Sequence, residues 1–492
     1  MTVAKENIRL TFGLKIKQLR QEKGISLSEL AHQTGISVSY LNEIEKGKKY
    51  PQTEKIVVLA ETLGVSYDWL VSLKLNKKLA PLADLLQSNF LSEFPLEVFG
   101  IEPAQFLDIL ANAPEKVGAF IGTLAEIARS YDMQIEEFYF SVLRSYQEMY
   151  ENYFEDLEQE AQHFREVHQL KDKTILDIDF LKEVLLKNYH IQTQETEFEP
   201  ALKSLRSVLK GNTLLLNQNL GIAQKRFVLC REIGFAFLKI KKRSATFSWI
   251  EVRSFDEVLN NFKASYFAGA LLLPQNMLVN DLKTFFKQKQ FDAEYLINLN
   301  TQYQVTPETL LYRCSNLLPK YFGLNELFFL RFDNTDKQFN LTKEMHISGL
   351  HNPHASALEE HYCRRWISIT ILEDLQRHAK KDAGILCKAQ ISEYYDSPNR
   401  YFVLAMARSL SPTPALSSLA IGIKVNEQAE KMIHFLEDKN LTIKKVGETC
   451  QRCSATDCSE RMSEPSILLK KQAKKARKQA LEKLTTNHIE NA

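Results

Sequence analysis

The chain has 492 residues, of which 44% are hydrophobic and 25% charged, with a formal net charge of +2 at pH 7. These values predict about three or four folded domains and exclude a polybasic coat for nucleic acid. No apolar run approaches the roughly 20 residues that span a bilayer, and the first ten residues lack the apolar segment of a signal peptide. We therefore expect a cytoplasmic protein with no membrane partner, whose seven cysteines are reduced or metal-bound.

Residues 26–47 carry the pattern of two short helices joined by a tight turn. Ser26 and Glu29 predict a capping box at the start of the first helix, and Gly35 suits the left-handed residue that ends it. Ser37 is expected to cap the second helix. The outward side of this second helix is free to enter a DNA major groove, and a helical hairpin used for protein contact is the alternative.

The segment 12–73 resembles the five-helix DNA-binding domain of the XRE family, the phage-repressor-like regulators. The matching stretches are LKIKQLRQEKGISLSELA, YLNEIEKGKKYP and LAETLGVSYDWL. In that family an arginine of the first helix pairs with a glutamate late in the recognition helix, which implies a structural ion pair between Arg20 and Glu45. A buried pair of this kind fixes the helix register more than it adds stability.

The same resemblance implies which residues face DNA. Its base-reading positions correspond to Val38, Ser39 and Glu43, of which Val38 suits a thymine methyl group and Glu43 a cytosine amino group. Tyr40, Asn42 and Lys46 are better placed for phosphates, whose contacts position the helix, whereas base contacts specify the sequence. The expected DNA-binding residues are Ser37, Val38, Ser39, Tyr40, Asn42, Glu43, Lys46 and Lys48.

Residues 76–167 are predicted to form a helical connector. Short amphipathic helices interrupted by prolines are expected in 81–132, and 134–167 has the pattern of a long amphipathic helix or a helix pair. Its aromatic stripe is typical of a core or a dimer contact. We expect dimerisation, because paired DNA half-sites require a two-fold protein.

Residues 168–345 are predicted to form an α/β unit, in which three short strands with a hairpin turn at 210–212 precede a helix. This order, together with RFVLCREIGFAFL, resembles the ImmA/IrrE-type metallopeptidases. Their active helix carries His-Glu-x-x-His, which supplies two zinc ligands one turn apart and a general-base glutamate. The matching motif positions here are Arg231, Glu232, Ile233, Gly234 and Phe235, and the position of a third acidic ligand corresponds to Lys263.

Only the glutamate of that motif is kept, so we expect a zincin-like pseudo-peptidase without metal and without catalytic residues. Cys230 and Cys314 are expected to be core cysteines. A fold that has lost its chemistry can still offer a cleft to a small molecule. The competing hypothesis is a DNA-bound metalloprotease that cleaves a partner repressor, and Arg231, Phe235 and Lys263 argue against it.

The region 346–465 carries a second chemical signal, because Cys450, Cys453 and Cys458 lie within nine residues. Closely spaced thiolates are what iron–sulfur clusters and zinc sites require. Spacing does not separate these two groups, and free or redox-active thiols remain a third possibility. We expect Cys363 to supply the fourth ligand. The alternatives to it are Cys387, His351, His354 and His361.

Over nearly its whole length the chain resembles the short-chain fatty acyl regulator family, which joins an XRE domain, a zinc-less peptidase-like domain and a Cys-bearing domain. The strongest matches are CRRW and CQRCSATDCSERMSEP, and one departure is Gly422-Ile423, where members often have Gly-Cys. The resemblance implies an acyl-CoA effector, a 4Fe–4S cluster and control of short-chain acyl metabolism. A phage-type repressor or antitoxin without small-molecule sensing is the alternative.

Residues 466–492 form a basic tail, in which seven Lys and Arg against two Glu give a net charge of +5. The tail is predicted to be helical and either to contact phosphates or to fray into solvent. The predicted fold is multidomain, mainly α with α+β parts. The predicted function is a transcriptional regulator that binds a double-stranded DNA operator as a homodimer. Its expected domains are 8–75, 76–167, 168–345 and 346–465, followed by the tail.

Overall fold

The computed structural model describes residues 5–72, 100, 135–170, 175–247, 252–335, 338–347, 360–378, 384–395, 397–410 and 415–486. The chain divides into two compact units, residues 1–142 with 253–255 and residues 143–252 with 256–492. The helices predicted within 81–132 lie outside the described residues, as do His351 and His354. Among the described helices, none combines the length and the apolar character needed to cross a bilayer.

Five helices form the N-terminal domain: α1 Lys5–Glu22, α2 Leu27–Thr34, α3 Val38–Glu45, α4 Thr53–Leu63 and α5 Tyr67–Val71. The predicted capping box is present, since the Ser26 side chain accepts from the Glu29 amide and the Glu29 carboxylate accepts from the Ser26 amide. Gly35 is left-handed with φ of 68°, and the Ser37 side chain caps α3. The fully buried core side chains are Ile16, Leu30, Leu41, Ile44, Leu59 and Leu70.

Helices α1 and α3 meet backbone to backbone at Gly13. A Cβ atom at this position would lie 2.3 Å from the carbonyl oxygen of Ile44 and 3.0 Å from that of Glu45. Real side chains do not tolerate such separations, so a larger residue at position 13 would push the recognition helix away from α1. The position of α3 therefore depends on a glycine that the helix-turn-helix pattern itself does not include.

The remaining helices are α6 Ile135–Met149, α7 Glu155–Val167, α8 Ile178–Tyr189, α9 Ile222–Phe237, α10 Phe255–Leu272, α11 Gln275–Phe286, α12 Ala293–Tyr303, α13 Pro307–Phe322, α14 Ile367–His378, α15 Glu427–Met432 and α16 Ser466–Thr486. Short 3-10 helices lie at Pro200–Leu202 and His434–Glu437. The amphipathic stretch 134–167 is thus a helix pair, and the tail is helical, as predicted.

A four-stranded sheet is formed by β1 Gln192–Thr196, β2 Ser207–Lys210, β3 Thr213–Asn217 and β4 Thr246–Phe247, in the order β1-β3-β2-β4. Strands β2 and β3 form the predicted hairpin, with Gly211 left-handed at its turn. Helix α9 follows β3 directly and packs against α8. The predicted order of strands and motif helix is therefore confirmed.

The second sheet has the order β10-β7-β8-β9-β5-β6. Its strands are β5 Leu327–Thr335, β6 Gln338–His346, β7 Leu386–Tyr394, β8 Arg400–Ser409, β9 Leu416–Lys424 and β10 Thr442–Val446. Only β10 runs parallel to its neighbour. The predicted domain limit at 345/346 falls inside this sheet, because β5 pairs with both β6 and β9. The two segments therefore share one structural body.

Alternate residues of β5 face opposite sides of the sheet, as the pleat requires. Leu327 and Phe329 join a large core that includes residues of α7 to α13. Phe328, Leu330 and Phe332 join a smaller core beneath α14. Apolar burial on both faces explains why the central strands are almost continuously hydrophobic.

Candidate functional site

Helix α3 turns its apolar side to the domain core and its polar side to solvent. Leu41 and Ile44 are fully buried, whereas Val38 is 43% exposed. Ser39 and Asn42 are exposed on the same outer side as Val38. These three side chains therefore present a thymine-compatible methyl surface, a hydroxyl and an amide to an approaching duplex.

The other predicted DNA-binding residues flank this outer side. Glu43 and Lys46 are partly buried and Lys48 is exposed. The ring of Tyr40 lies beneath the ammonium group of Lys55, whose Nζ atom is 4.4 Å from the ring centroid. Lys55 on α4 is thus a phosphate-contact candidate that the sequence analysis missed, because its relation to α3 arises only when the helices pack.

The predicted structural pair holds α3 to α1. Arg20 Nε and Nη2 donate to the two carboxylate oxygens of Glu45 at 2.7 and 2.9 Å. Arg20 Nη1 also donates to the Ile25 carbonyl at 3.0 Å, and the hydrogen bond with Glu45 raises the pKa of Arg20. A bidentate pair of this kind fixes angle as well as distance. The recognition helix is consequently held rigidly on its domain.

The motif positions on α9 form a cationic, buried arrangement. Arg231 and Glu232 are 2% and 1% exposed. Glu232 is 2.7 Å from Arg243 Nη2 and 3.5 Å from Arg231 Nη1, so one carboxylate serves two guanidinium groups. Both guanidinium groups also lie over the Phe235 ring, at 4.8 Å for Arg231 and 3.8 Å for Arg243. Burial lowers the pKa of Arg231 to about 9.

These residues do not fit a zinc ion. A ligand set needs neutral or anionic donors, whereas two cations and an aromatic ring surround Glu232. Arg231 donates through Nη2 to the Asn261 side chain on α10, and Lys263, the expected third-ligand position, lies two residues further on and is partly exposed. In the described part of the chain, no group of three or more His, Cys, Asp or Glu side chains is arranged to hold a metal.

A second cationic group lies where α13 begins, against the six-stranded sheet. Glu308 is 3.3 Å from Arg331 Nη1, 3.7 Å from Lys343 Nζ and 3.8 Å from Arg206 Nη2. Burial alone would raise the pKa of Glu308, but these cations and Arg408 outweigh it and lower the pKa to about 2. The carboxylate therefore stays ionised at all physiological pH values.

The cations of this group outnumber its acids. Asp333 accepts from Arg331 Nε at 3.0 Å, from Ser417 Oγ at 2.6 Å and from Thr342 Oγ1 at 3.1 Å. Buried Nε of Arg408 has no hydrogen-bond partner among the described residues. We call Arg206, Arg331, Lys343, Arg408, Glu308 and Asp333 the cation cluster; four cations against two carboxylates leave a net charge of +2. Such a surplus favours an anionic ligand.

An open groove of 1010 Å³ lies elsewhere in the same unit. Residues of α14, β7 and β10 line it, among them Arg364, Arg377 and Lys388. Its volume is at the upper end of the range for pockets that bind small molecules. The motif residues of α9 do not line it, so any ligand of this groove would be independent of the former metal positions.

Two of the predicted metal ligands are brought together by a short antiparallel pairing. The Cys363 amide donates to the Glu448 carbonyl at 3.1 Å, and the Cys450 amide donates to the His361 carbonyl at 2.8 Å. The pairing is centred on the bridge between Tyr362 and Thr449. It aligns two cysteines that are 87 positions apart in the chain.

Three of the four thiols are buried and accept backbone hydrogen bonds. The donors are Gly447 to Cys363 Sγ at 3.4 Å, Met462 to Cys450 Sγ at 3.4 Å and Ala455 to Cys453 Sγ at 3.5 Å. The pKa of Cys363 is raised by burial and further by Cys453 and Cys450. Backbone N–H groups directed at sulfur atoms are typical of cluster ligands, but burial favours the neutral thiol of Cys363, and the described cysteines are not arranged as a set of metal ligands.

The remaining candidates differ in position. Cys458 is partly exposed, with Sγ 3.7 Å from the Glu460 carboxylate. His361 Nδ1 is 3.0 Å from Gln451 Nε2, so its ring engages an amide. Cys387 lies on β7 in the larger core, and Ile423 packs in that core too, whereas Cys363 packs in the smaller one. Of the two cysteines considered as the fourth ligand, Cys363 is therefore the one that the fold places beside the Cys450–Cys453 segment.

Comparison with known families agrees with this architecture. Residues 16–70 match a helix-turn-helix family model, and residues 186–315 match the model of the IrrE N-terminal-like domain. Comparison with curated proteins finds no match. Among solved structures, a Mycobacterium tuberculosis transcriptional regulator is 18% identical with a TM-score of 0.46, over 66% of this chain and 93% of that one. The two family matches place a helix-turn-helix DNA-binding domain ahead of an IrrE-like domain in the same chain.

Proposed function

We propose that the protein is a one-component transcriptional regulator, in which α3 reads an operator and the second unit binds a small effector. The observation that carries the DNA-binding part is α3 itself, because its outer side is open while Arg20 and Glu45 fix its inner side. Control then requires an effector with different affinities for DNA-competent and DNA-incompetent states.

Selection of duplexes from a random-sequence library by the full chain tests the DNA-binding part. We expect enrichment of sequences with two related half-sites, which a homodimer would contact. Glu43→Ala, at a predicted base-reading position, should cost about 1–3 kcal/mol at one base position. His32→Ala, an exposed change on α2, is the matched control. A library from which nothing is enriched would contradict the proposal.

The proposed homodimer can be examined separately. A C2 dimer presents two equal recognition helices and thereby matches a palindromic operator. Light scattering of the full chain should give twice the 56.8 kDa of one chain at micromolar concentration. A strictly monomeric protein that still selects two half-sites would show that DNA, rather than the protein, brings the copies together.

The IrrE-like domain is proposed to have no peptidase activity. Arg231 and Arg243 compensate Glu232, so this carboxylate is not free to act as a base, and its nearest charged neighbours are cations that cannot serve as metal ligands. Incubation of the full chain with peptide substrates and added zinc should give no cleavage above background. Zinc-dependent cleavage that Glu232→Gln abolishes would establish the alternative, a metalloprotease-type derepressor.

The proposed effector is a short-chain acyl-CoA. Its phosphates are negatively charged and would balance the positive net charge of the cation cluster. One guanidinium group can bind two phosphate oxygens at once. Titration calorimetry with acetyl-CoA, propionyl-CoA and free CoA tests this. Arg331→Gln should weaken binding about tenfold or more, because it removes one of the four cations that give the cluster its positive net charge.

Arg377→Gln serves as the control, since Arg377 is 71% exposed and lines the groove instead. If only Arg377→Gln weakens binding, the effector occupies the groove and the cation cluster is structural. If no acyl-CoA binds, the protein regulates without small-molecule sensing, as a phage-type repressor or antitoxin does.

We further propose that Cys363, Cys450, Cys453 and Cys458 hold a 4Fe–4S cluster, with zinc as the alternative. Because the described residues contain no ready arrangement of three or more such ligands, binding would have to draw the four thiols together. Bound there, a cluster would link the segment at 363 to the C-terminal hairpin and respond to oxidants. Anaerobic purification should give a visible absorption band with iron and sulfide. Cys363→Ser should lose it, whereas Cys387→Ser, in the other core, should keep it. Stoichiometric zinc without colour would make the group structural.

A further inference from the structure

Helix α16 leaves the body of the protein as a single exposed helix. It has 21 residues, and every residue from 469 to 482 is exposed. Lone helices of this length are marginal in water, but Ala, Lys, Gln, Leu and Arg are strong helix formers. An exposed helical segment from 469 to 482 indicates that this part of α16 acts through its surface rather than as part of a core.

The surface of α16 is divided by charge. Seven Lys and Arg residues against one Glu give residues 466–486 a net charge of +6. Positions three and four apart share a helix face, so Lys470, Lys474 and Arg477 form one row, with a second row beside it. Small and apolar residues occupy the other side. The second cationic row consists of Lys471, Lys475 and Lys478.

The start of α16 is fixed to the cysteine hairpin. The amides of Ile467 and Leu468 both donate to the Gln451 carbonyl, each at 3.1 Å. Gln451 itself lies between Cys450 and Cys453, and its side-chain oxygen accepts from the His361 amide at 2.9 Å. The helix is therefore an arm held at one end, whose direction follows the hairpin.

The dimensions and charge of this arm fit duplex DNA. At 1.5 Å per residue α16 extends about 31 Å, close to the roughly 34 Å of one helical turn of DNA. A duplex carries one negative charge per about 1.7 Å of axis. Adjacent cationic rows would follow a line of phosphates without reading base edges. An anionic membrane is the competing partner, but between residues 470 and 480 the apolar residues are only Ala473, Ala476 and Ala480, a weak anchor.

We propose that α16 is a second DNA-contacting element, which binds phosphates independently of sequence and adds to the affinity that α3 provides. This role of α16 rests on the proposed DNA-binding function but does not depend on which operator sequence α3 recognises. Loss of the cations should lower affinity equally for operator and unrelated DNA, and should leave the preference between them unchanged.

The test measures the salt dependence of binding by the full chain to a mixed-sequence duplex about four helical turns long. The variant carries Lys470→Gln, Lys471→Gln, Lys474→Gln and Lys475→Gln, which preserve helix propensity. The matched control carries the same number of exposed substitutions in the same unit: Lys239→Gln, Lys241→Gln, Lys287→Gln and Lys289→Gln. Circular dichroism verifies that the variants remain folded.

We expect the slope of log K against log salt concentration to become shallower by about 3–4 in the tail variant, at about 0.9 for each lost phosphate contact. The control should keep the wild-type slope. Equal slopes in both variants would overturn the proposal while leaving the function of α3 intact. A wild type that binds no duplex would overturn both. Reduced binding of the tail variant to phosphatidylserine vesicles, with DNA binding unchanged, would identify a membrane contact instead and also overturn it.

Discussion

The helix-turn-helix domain and the IrrE-like motif helix each bury a carboxylate against arginine, with different consequences. Glu45 meets one arginine, and the pair sets the position of an open recognition helix. Glu232 meets two arginines at positions where a peptidase would hold a metal. The same chemistry positions an open helix in one region and occupies the peptidase motif positions in the other. A buried carboxylate at a motif position is therefore evidence of function only when its partners leave it available.

The largest expected effect comes from removing the shared carboxylate of the motif helix. Glu232→Ala leaves Arg231 and Arg243 without their anion in a buried place, which should cost about 3–5 kcal/mol of unfolding free energy. Chemical denaturation measures it. Asp256→Ala, which removes the exposed partner of Lys242, should change the free energy of unfolding far less, because solvent screens this pair. A tolerated Glu232→Ala would mean that the carboxylate is not structural.

Breaking the pair in the N-terminal domain should cost slightly less. Glu45→Ala leaves Arg20 without its carboxylate partner and only partly solvated. We therefore expect the free energy of unfolding to fall by about 3 kcal/mol. The double change Arg20→Met with Glu45→Met should recover most of that stability, because two apolar residues need no partner. Thermal unfolding of the wild type, Arg20→Met, Glu45→Met and the double variant provides the cycle. Additive losses in the double variant would show that the two side chains act separately.

Gly13→Ala should destabilise the same domain by about 2 kcal/mol, because the new methyl group would overlap the Ile44 carbonyl oxygen. DNA affinity should fall with it, since α3 must shift. Gly269→Ala is the control, because a Cβ there meets nothing within 4 Å and alanine favours a helix. Unchanged melting and DNA binding for Gly13→Ala would contradict the close approach of α1 and α3.

The smallest effect should be seen at the cation cluster. Because the folded-state pKa of Glu308 is depressed to about 2, its contribution to stability is present above pH about 4.5 and is lost as pH falls toward 2. Glu308→Gln should therefore be less stable than the wild type by about 1 kcal/mol at neutral pH, allowing for solvent screening. The difference should vanish near pH 2. A difference independent of pH would exclude the charge as its cause.

Local signals in the sequence predicted local structure well. The capping box at Ser26, the left-handed Gly35 and the 210–212 hairpin depend on neighbouring residues, and each is present. The cation cluster was not predictable in this way, since Arg206, Glu308 and Arg331 meet only when separate elements pack. For the same reason the limit at 345/346 divided a sheet whose pairing joins β5 to β9.

The motif helix α9 contains features that the sequence predicted and features that it did not. Its identity followed from the order of strands and helix, and the loss of histidines was visible in the letters. The contacts of Arg231 and Glu232 were not visible there, because their partners Asn261 and Arg243 lie outside the motif. Asn261 is on α10, and Arg243 lies just before β4. Gly13 was missed likewise, since only the crossing of α1 and α3 reveals why the residue must be small.

The most direct test of the account is the affinity of the full chain for its selected operator, measured with and without a saturating short-chain acyl-CoA. We expect the dissociation constant to change by about 5- to 150-fold, the usual range of coupling between two sites. The same shift should be smaller in Arg331→Gln and intact in Glu232→Gln if that variant folds. An operator affinity that no acyl-CoA alters would contradict the proposal that the second unit senses this class of effector.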